Sequence, residues 1–143
     1  MATRSAIVEV TPEGKYRGIY CHNDGYPEHN GLRLVHYYDT PEKVKELIDL
    51  GFISYLAKRV KPEEGEEHSF KTPIEDVTVA YRRDKGDNYD DLRATESDTL
   101  EGAIDSIEYS YIYIFKDGEW YVDDGESDEP QLVKSLDLDT KYL

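Results

Sequence analysis

A strand, a tight turn and a second strand form the clearest pattern in this chain. Across 108–115, aromatic side chains alternate with serine and isoleucine. This period of two is that of a β-strand, so the rings lie on one face and the isoleucines on the other. Asp117 and Gly118 are typical of a two-residue hairpin turn, and β-forming residues follow over 119–122. The segment therefore predicts a β-hairpin.

A second hairpin and several helices are predicted elsewhere. β-rich segments at 6–10 and 16–21 flank a run of turn formers, which predicts an N-terminal hairpin. Thr40 and Pro41 are typical of a helix start, and Gly51 is typical of a helix end. The remaining predicted elements are helices over 27–38, over 52–60 and from 98 onward, and strands over 77–81 and 131–136.

These strands and helices follow one another in mixed order rather than as βα repeats. Such an order predicts an α+β fold with a mainly antiparallel sheet and two to four short helices packed on one face. The chain has 143 residues, of which 38% are apolar, and this suits a single domain with a modest core. Two domains would each be too small.

The charge of the chain is strongly negative and unevenly distributed. With 17 basic and 32 acidic side chains the net charge is −15, and the mean hydropathy is −0.76. Residues 1–60 contain eight side chains of each sign, whereas 61–143 contain 9 basic and 24 acidic ones. The single domain thus has a neutral N-terminal part and an acidic, tyrosine-rich part. Because this charge repels phosphate backbones, we expect no direct binding to nucleic acid.

Membrane and secretory segments are not expected in this chain. No apolar run approaches the roughly 20 residues of a membrane span, and the N-terminus lacks the apolar region of a secretory signal. We therefore expect a soluble, cytoplasmic protein with no membrane partner. Cys21 is the single cysteine, which excludes an intramolecular disulfide and a zinc site built from several cysteines.

The segment 21–29 holds the densest group of chemically active side chains. His22 and Asp24 could form an oriented general base. However, the spacing matches no known metal or catalytic signature, and the turn formers in this segment account for it structurally. We therefore expect no metal, no cofactor and no catalytic residue, and we lean against an enzyme. The side chains that could otherwise ligate zinc are Cys21, His22, Asp24 and His29.

A small-ligand or enzyme pocket is the alternative for this region. It would use an arginine to hold an anion and a histidine–aspartate pair as the base, and it requires these two side chains to converge within hydrogen-bond reach. The residues of this predicted pocket are Arg4, His22, Asp24, Tyr26 and His36.

The aromatic face of the 108–115 strand is either core or an exposed partner surface. Alternating aromatic residues usually pack under a helix, but Ile112 and Ile114 on the other face also favour burial. If the isoleucine face meets the helices, the aromatic face is left outward, and the acidic loops 62–67 and 123–129 would steer a basic partner. The candidate partner-binding residues are Tyr109, Tyr111, Tyr113 and Trp120.

The N-terminal part also resembles a known group of proteins. The residues that carry the resemblance are Thr3-Arg4-Ser5, Gly14-Lys15, Ile19 to Glu28, Gly31, His36-Tyr37, Lys43-Val44 and Leu47 to Gly51. Over about its first 55 residues, and again from Gly118 to Tyr121, the chain is similar to a family of small phage and prophage proteins. The resemblance implies a phage origin and supplies no catalytic residues, because the family has no established activity. Small acidic phage proteins often bind and disable host proteins, including those of restriction, CRISPR and other defence systems.

These observations lead to three hypotheses of function. The first is a phage-derived, non-enzymatic protein that binds a host or phage macromolecule and inhibits a bacterial defence system. The second is a small-ligand-binding protein or hydrolase-type enzyme that uses His22 and Asp24. The third is a virion or assembly component, which would form a homo-oligomer through the edge of the tyrosine-rich strand.

Overall fold

Residues 2–143, which the computed structural model describes, form a mixed sheet of eight strands. The strands are β1 (Ser5–Val10), β2 (Tyr16–Cys21), β3 (Ile53–Tyr55), β4 (Val79–Ala80), β5 (Thr95–Ser97), β6 (Tyr111–Lys116), β7 (Glu119–Asp123) and β8 (Gln131–Leu132). The α-helices are α1 (Leu32–Tyr37), α2 (Pro41–Asp49) and α3 (Leu100–Ile104), with short π or 3₁₀ turns at Pro27–Gly31, Tyr81–Lys85, Asp90–Leu92 and Val133–Ser135. Within residues 2–143, no helix is long and apolar enough to cross a membrane.

The N-terminal hairpin lies at the centre of the sheet. The strand order is β4-β3-β2-β1-β6-β7-β8, and β5 pairs with β2 outside this path. Among the eight strands of residues 2–143, the pairings are antiparallel except for β1 with β6 and β2 with β3. This confirms a single α+β domain with a mainly antiparallel sheet. The pairing of β1 with β6 also joins the two charge regions, since β1 belongs to the neutral part of the chain and β6 to the acidic part.

The helices cover both faces of the sheet, although one face was expected. Helices α1 and α2 pack on the face that carries Tyr113, Phe115 and Trp120, and together they form the main core. Helix α3 packs on the opposite face, in a smaller cluster that includes Ile112 and Ile114. The aromatic face of β6 therefore belongs to the main core, and its isoleucine face belongs to the smaller one.

Local signals correctly predicted the two hairpins and the start of α2. Asp117 and Gly118 both have positive φ angles, 53° and 80°, as the tight turn between β6 and β7 requires. At the start of α2 the Thr40 hydroxyl accepts a hydrogen bond from the Lys43 amide, and Pro41 occupies the first turn. Gly51 follows the helix with a φ of 80°.

The helix predicted over 52–60 is wrong. This segment contains the short strand β3, which pairs with β2 and β4. The Phe52 amide donates to the carbonyl of Leu92 at 2.7 Å, and the Phe52 carbonyl accepts from the Tyr81 amide at 3.2 Å. Hydrogen bonds to distant segments thus override the local helical pattern. Strands β4 and β8 lie where strands were predicted but are only two residues long.

Candidate functional site

One face of the sheet is only partly covered, and we call it the α3 face. Its core consists of Ala6, Val8, Ile112 and Ile114, under the five-residue helix α3. The helix lies directly on β2, because a Cβ atom added at Gly18 would come within 2.8 Å of the Ala103 carbonyl oxygen. Open clefts remain beyond both ends of α3. Leu100 at its start lines one cleft, and Ser106 just after its end lines the other.

The larger cleft has a volume of about 520 Å³, and we call it the Arg4 cleft. Four of its lining side chains are aromatic, and they come from well-separated segments of the chain. Tyr89 is 67% exposed, the highest value among the large hydrophobic side chains of residues 2–143. The lining residues are Arg4, Tyr20, Phe52, Tyr81, Lys85, Asp87, Tyr89, Leu92, Ser106 and Glu108.

The charges of the Arg4 cleft are paired. Arg4 Nη1 lies 2.9 Å from Glu108 Oε2, and Lys85 Nζ lies 3.6 Å from Asp87 Oδ2. Burial raises the pKa of Tyr20, so its hydroxyl is neutral at physiological pH. The cleft therefore presents aromatic rings, neutral hydroxyls and compensated ion pairs.

The second cleft has a volume of about 460 Å³, and we call it the Tyr121 cleft. It lies beside the hairpin turn between β6 and β7 and beside the acidic loop 123–129. Its lining residues are Val10, Tyr16, Leu100, Ile114, Lys116, Asp117, Tyr121, Glu129 and Pro130.

The structure distributes the five residues of the predicted pocket among three places. Arg4 lines the cleft named after it, and His22 lies next to that cleft, with Nδ1 2.6 Å from the hydroxyl of the lining residue Tyr20. Asp24 and Tyr26 lie near His29 instead; Asp24 Oδ2 is 3.9 Å from His29 Nε2, and the Tyr26 ring packs edge-on against the His29 ring. His36 lines a separate pocket beside α1 and α2. His22 and Asp24 thus have different partners.

Cys21 and His29 belong to a buried hydrogen-bond network. Asn30 connects them: its Nδ2 donates to Ser5 Oγ and Cys21 Sγ at 3.3 Å each, and its Oδ1 pairs with His29 Nδ1 at 2.8 Å. His29 Nε2 lies 3.3 Å from the Tyr55 hydroxyl. Burial raises the pKa of Cys21 to about 11 and lowers the pKa of His29. These side chains are therefore held neutral and tie the Pro27–Gly31 turn to the sheet.

The zinc ligands considered above do not assemble. Among residues 2–143, no group of three or more histidine, cysteine, aspartate or glutamate side chains is placed to hold a metal ion.

Two of the four predicted partner-binding residues belong to the core. Tyr113 is fully buried and its hydroxyl donates to the Gly25 carbonyl at 2.6 Å. Trp120 is 3% exposed and its Nε1 donates to the Tyr38 carbonyl at 2.8 Å. An exposed role for both is therefore wrong, because α1 and α2 cover the aromatic face. Tyr111 is half-buried, and Tyr109 is 46% exposed.

Sequence reasoning missed the aromatic residues of the Arg4 cleft. The high tyrosine content was the only signal that pointed to three of them, and no signal pointed to the phenylalanine. Their sequence positions show no common spacing, because the sheet and the loop after β4 bring them together. These residues are Tyr20, Phe52, Tyr81 and Tyr89.

Comparison with known proteins yields no match to a protein-family model, a curated protein or a solved structure. Function is therefore inferred from the geometry of the two clefts and the character of the residues around them.

Proposed function

We propose that the chain is a phage-derived, non-enzymatic protein that binds a host or phage protein in the bacterial cytoplasm and thereby inhibits a defence system. The observation that carries the proposal is the Arg4 cleft, where four aromatic side chains surround paired charges on a thinly covered sheet face. The phage origin is supported by the resemblance of the first 55 residues.

Exposed tyrosines at this cleft favour a protein partner. Tyr89 within the cleft and Tyr109, next to the lining residue Glu108, are 67% and 46% exposed. Tyrosine is enriched at protein interfaces because its ring buries a large area while its hydroxyl keeps a polar contact. Such residues are also frequent hot spots of binding energy.

The charge pairing of the cleft argues against a nucleic-acid partner. Arg4 and Lys85 already face Glu108 and Asp87, so a phosphate group would have to displace a carboxylate from each cation. The net charge of −15 adds long-range repulsion of any polyanion. A protein surface can instead pack on the rings and leave both ion pairs in place.

Binding rather than catalysis is supported by the hydrogen-bond partners of the candidate catalytic groups. His22 pairs with Tyr20, and Cys21 and His29 are buried in the Asn30 network. The raised pKa of Cys21, about 11, keeps its thiol protonated and therefore a poor nucleophile.

Affinity capture from lysed bacteria, with partners identified by mass spectrometry, tests the proposal. The bait variants are Tyr89→Ala and Arg4→Ala, and the matched control is Tyr142→Ala, an exposed tyrosine outside both clefts. We expect a specific partner with the wild type and the control, and its loss with Tyr89→Ala. The proposal is contradicted if no partner is recovered, or if both cleft variants retain it. Light scattering of the purified chain separates a monomeric binder from a self-assembling component.

A small ligand in the same cleft is the second candidate function. The volume of about 520 Å³ lies within the usual range of ligand pockets, and a small anionic group would bind Arg4 by displacing the Glu108 carboxylate. A thermal-shift screen with small metabolites distinguishes the two. A compound that stabilises the wild type but not Arg4→Ala would favour this function over the protein partner.

A further inference from the structure

We propose that the Tyr121 cleft binds a basic segment of a partner protein. An apolar side chain of this segment, flanked by the partner's own lysine or arginine residues, inserts into the cleft. The inference rests on the proposed function, because it specifies the chemistry of a second contact on the same α3 face. It is carried by an apolar groove and by uncompensated negative charge around it.

The groove has an apolar floor built by four strands and a helix. Val10, Tyr16, Ile114 and Tyr121 come from β1, β2, β6 and β7, and Leu100 opens α3. Ile114 at the bottom is 7% exposed, while the other four side chains are only partly buried. Partial exposure of adjacent large apolar side chains leaves water-exposed surface that an inserted apolar side chain would cover.

Two carboxylates line this cleft, and more lie in the adjoining loop. Asp117 in the hairpin turn and Glu129 line the cleft directly, against one lining cation, Lys116. The loop that runs into Glu129 adds four more: Asp123, Asp124, Glu126 and Asp128. Within residues 2–143, none of these six carboxylates takes part in an ion pair. This distinguishes the Tyr121 cleft from the Arg4 cleft, where the charges are paired.

The acidic loop is held in place by its own backbone. Asp123 Oδ1 accepts from the Gly125 amide at 2.9 Å, and Asp124 Oδ1 accepts from the amides of Glu126 and Ser127 at 2.9 and 3.0 Å. The backbone hydrogen bonds from Ser127 and Glu126 also lower the pKa of Asp124, so this carboxylate is ionised at neutral pH. The loop, which reaches the groove at Glu129, therefore holds its negative charge in a fixed conformation before a partner arrives.

Charge complementarity selects the occupant. A positively charged segment relieves the mutual repulsion of the carboxylates and is steered to the cleft at low ionic strength. The occupant must also carry an apolar side chain, since a purely ionic ligand would leave Tyr16, Leu100 and Tyr121 of the cleft floor uncovered. The occupant is thus a polypeptide with basic residues on both sides of an apolar one.

Fluorescence anisotropy with three labelled peptides of equal length tests this inference. The first has a leucine flanked by lysines and arginines, the second replaces the leucine by alanine, and the third replaces the basic residues by glutamates. The cleft variant is the triple substitution Glu126→Gln, Asp128→Asn and Glu129→Gln. The matched control removes the same charge from the other acidic loop through Glu63→Gln, Glu64→Gln and Glu67→Gln, all exposed positions.

We expect the basic leucine peptide to bind, the alanine peptide to bind at least severalfold more weakly, and the glutamate peptide not to bind. The cleft variant should lose about tenfold or more in affinity, the control variant should bind like the wild type, and added salt should weaken binding. Amide shifts in nuclear magnetic resonance spectra should be centred on Ile114 and Tyr121. Absence of binding at low salt, equal loss in both triple variants, or shifts centred on the Arg4 cleft would overturn the inference.

The two proposals can fail separately. Partner capture that depends on Tyr89, together with no peptide binding, overturns this inference and leaves the proposed function standing. Peptide binding in the Tyr121 cleft without any captured partner supports the inference and counts against the proposed function.

Discussion

Burial determines the chemistry of Cys21. The thiol is fully buried, and desolvation raises its pKa to about 11 although Asn30 and the Asn23 carbonyl hydrogen-bond the sulfur. Each pKa unit changes the thiolate fraction about tenfold below the pKa. We therefore expect a disulfide reagent at pH 8 to modify folded protein at least roughly a hundredfold more slowly than protein unfolded in urea. Equal rates in the two states would contradict the buried position.

Gly51 offers a matched test of backbone packing. Gly51 and Gly65 both have a φ angle above 75°, so alanine is strained at either position. A Cβ atom at Gly51 would also overlap the carbonyl oxygen of Leu92, whereas the space around Gly65 is open. Gly51→Ala should lower the free energy of unfolding by about 2 kcal/mol more than Gly65→Ala does. Urea denaturation measures the difference, and similar losses would show that Leu92 does not lie against Gly51.

At the scale of elements, the long connection between β3 and β4 is fixed by a buried polar cluster. His68 Nδ1 accepts from the Ile74 amide at 2.9 Å, and its Nε2 lies 3.2 Å from Asp84 Oδ2. The same carboxylate oxygen accepts from the Ala80 amide at 2.7 Å, and Arg83 donates to both carboxylate oxygens. These side chains anchor a segment that has little regular structure of its own.

Asp84 predicts an acid-sensitive contribution to stability. Burial acts to raise the pKa of Asp84, but the hydrogen bonds from Arg83 and Ala80 outweigh it, and the folded pKa lies below the ordinary 3.8. A carboxyl group with a lowered pKa stabilises the fold above its unfolded pKa and loses this effect as the pH falls through the folded value. Asp84→Asn should therefore destabilise the protein by about 2 kcal/mol at pH 7, and this difference should shrink below about pH 4.

Urea denaturation at several pH values measures this effect. Asp90→Asn serves as the control, because that carboxylate is 97% exposed and lies 3.6 Å from Arg93. Its substitution should change stability by less than about 1 kcal/mol at any pH. A constant difference between Asp84→Asn and the wild type from pH 7 to pH 3 would contradict a role of the ionised carboxylate.

The elements that could be predicted from sequence are those with a local cause. The turn at Asp117 and Gly118 depends on the backbone preferences of two adjacent residues, and the start of α2 depends on Thr40 and its neighbours. β3 could not be predicted in the same way. Its strand conformation depends on pairing with β2 and β4. It also depends on the hydrogen bonds that the neighbouring Phe52 donates to Leu92 and accepts from Tyr81, both distant in sequence.

For the whole molecule, the net charge of −15 predicts stabilisation by salt. Many ion pairs are exposed, such as Lys43 with Asp39, and stabilise the fold only slightly. Screening of these pairs by salt therefore costs little stability. Repulsion among the excess carboxylates is long-ranged and is screened as the Debye length falls. We expect the melting temperature to rise by a few degrees between 0.02 and 0.5 M sodium chloride. Differential scanning calorimetry measures it, and a falling melting temperature would show that ion pairs outweigh the repulsion.

The triple substitution in the loop before Pro130 provides the control for this salt effect. Glu126→Gln, Asp128→Asn and Glu129→Gln remove three negative charges that have no ion-pair partner among the described residues. The melting temperature of this variant should therefore be higher than that of the wild type at low salt and should depend less on added salt. If the melting temperature of this variant depends on salt as strongly as that of the wild type, the repulsion arises from carboxylates outside this loop.

The sequence by itself determined the hairpins, the capped helix α2, the α+β class and the uneven distribution of charge along the chain. These features depend on composition, on periodicity or on adjacent residues, and they need no knowledge of the packing. Only the tertiary structure decided which helices cover each face of β6, because both faces carry apolar side chains and either could meet α1 and α2. The nine-residue helix α2 packs with α1 over the aromatic face, whereas α3 has five residues and leaves the isoleucine face open at both ends. The two clefts lie there because pairing and packing brought distant segments together.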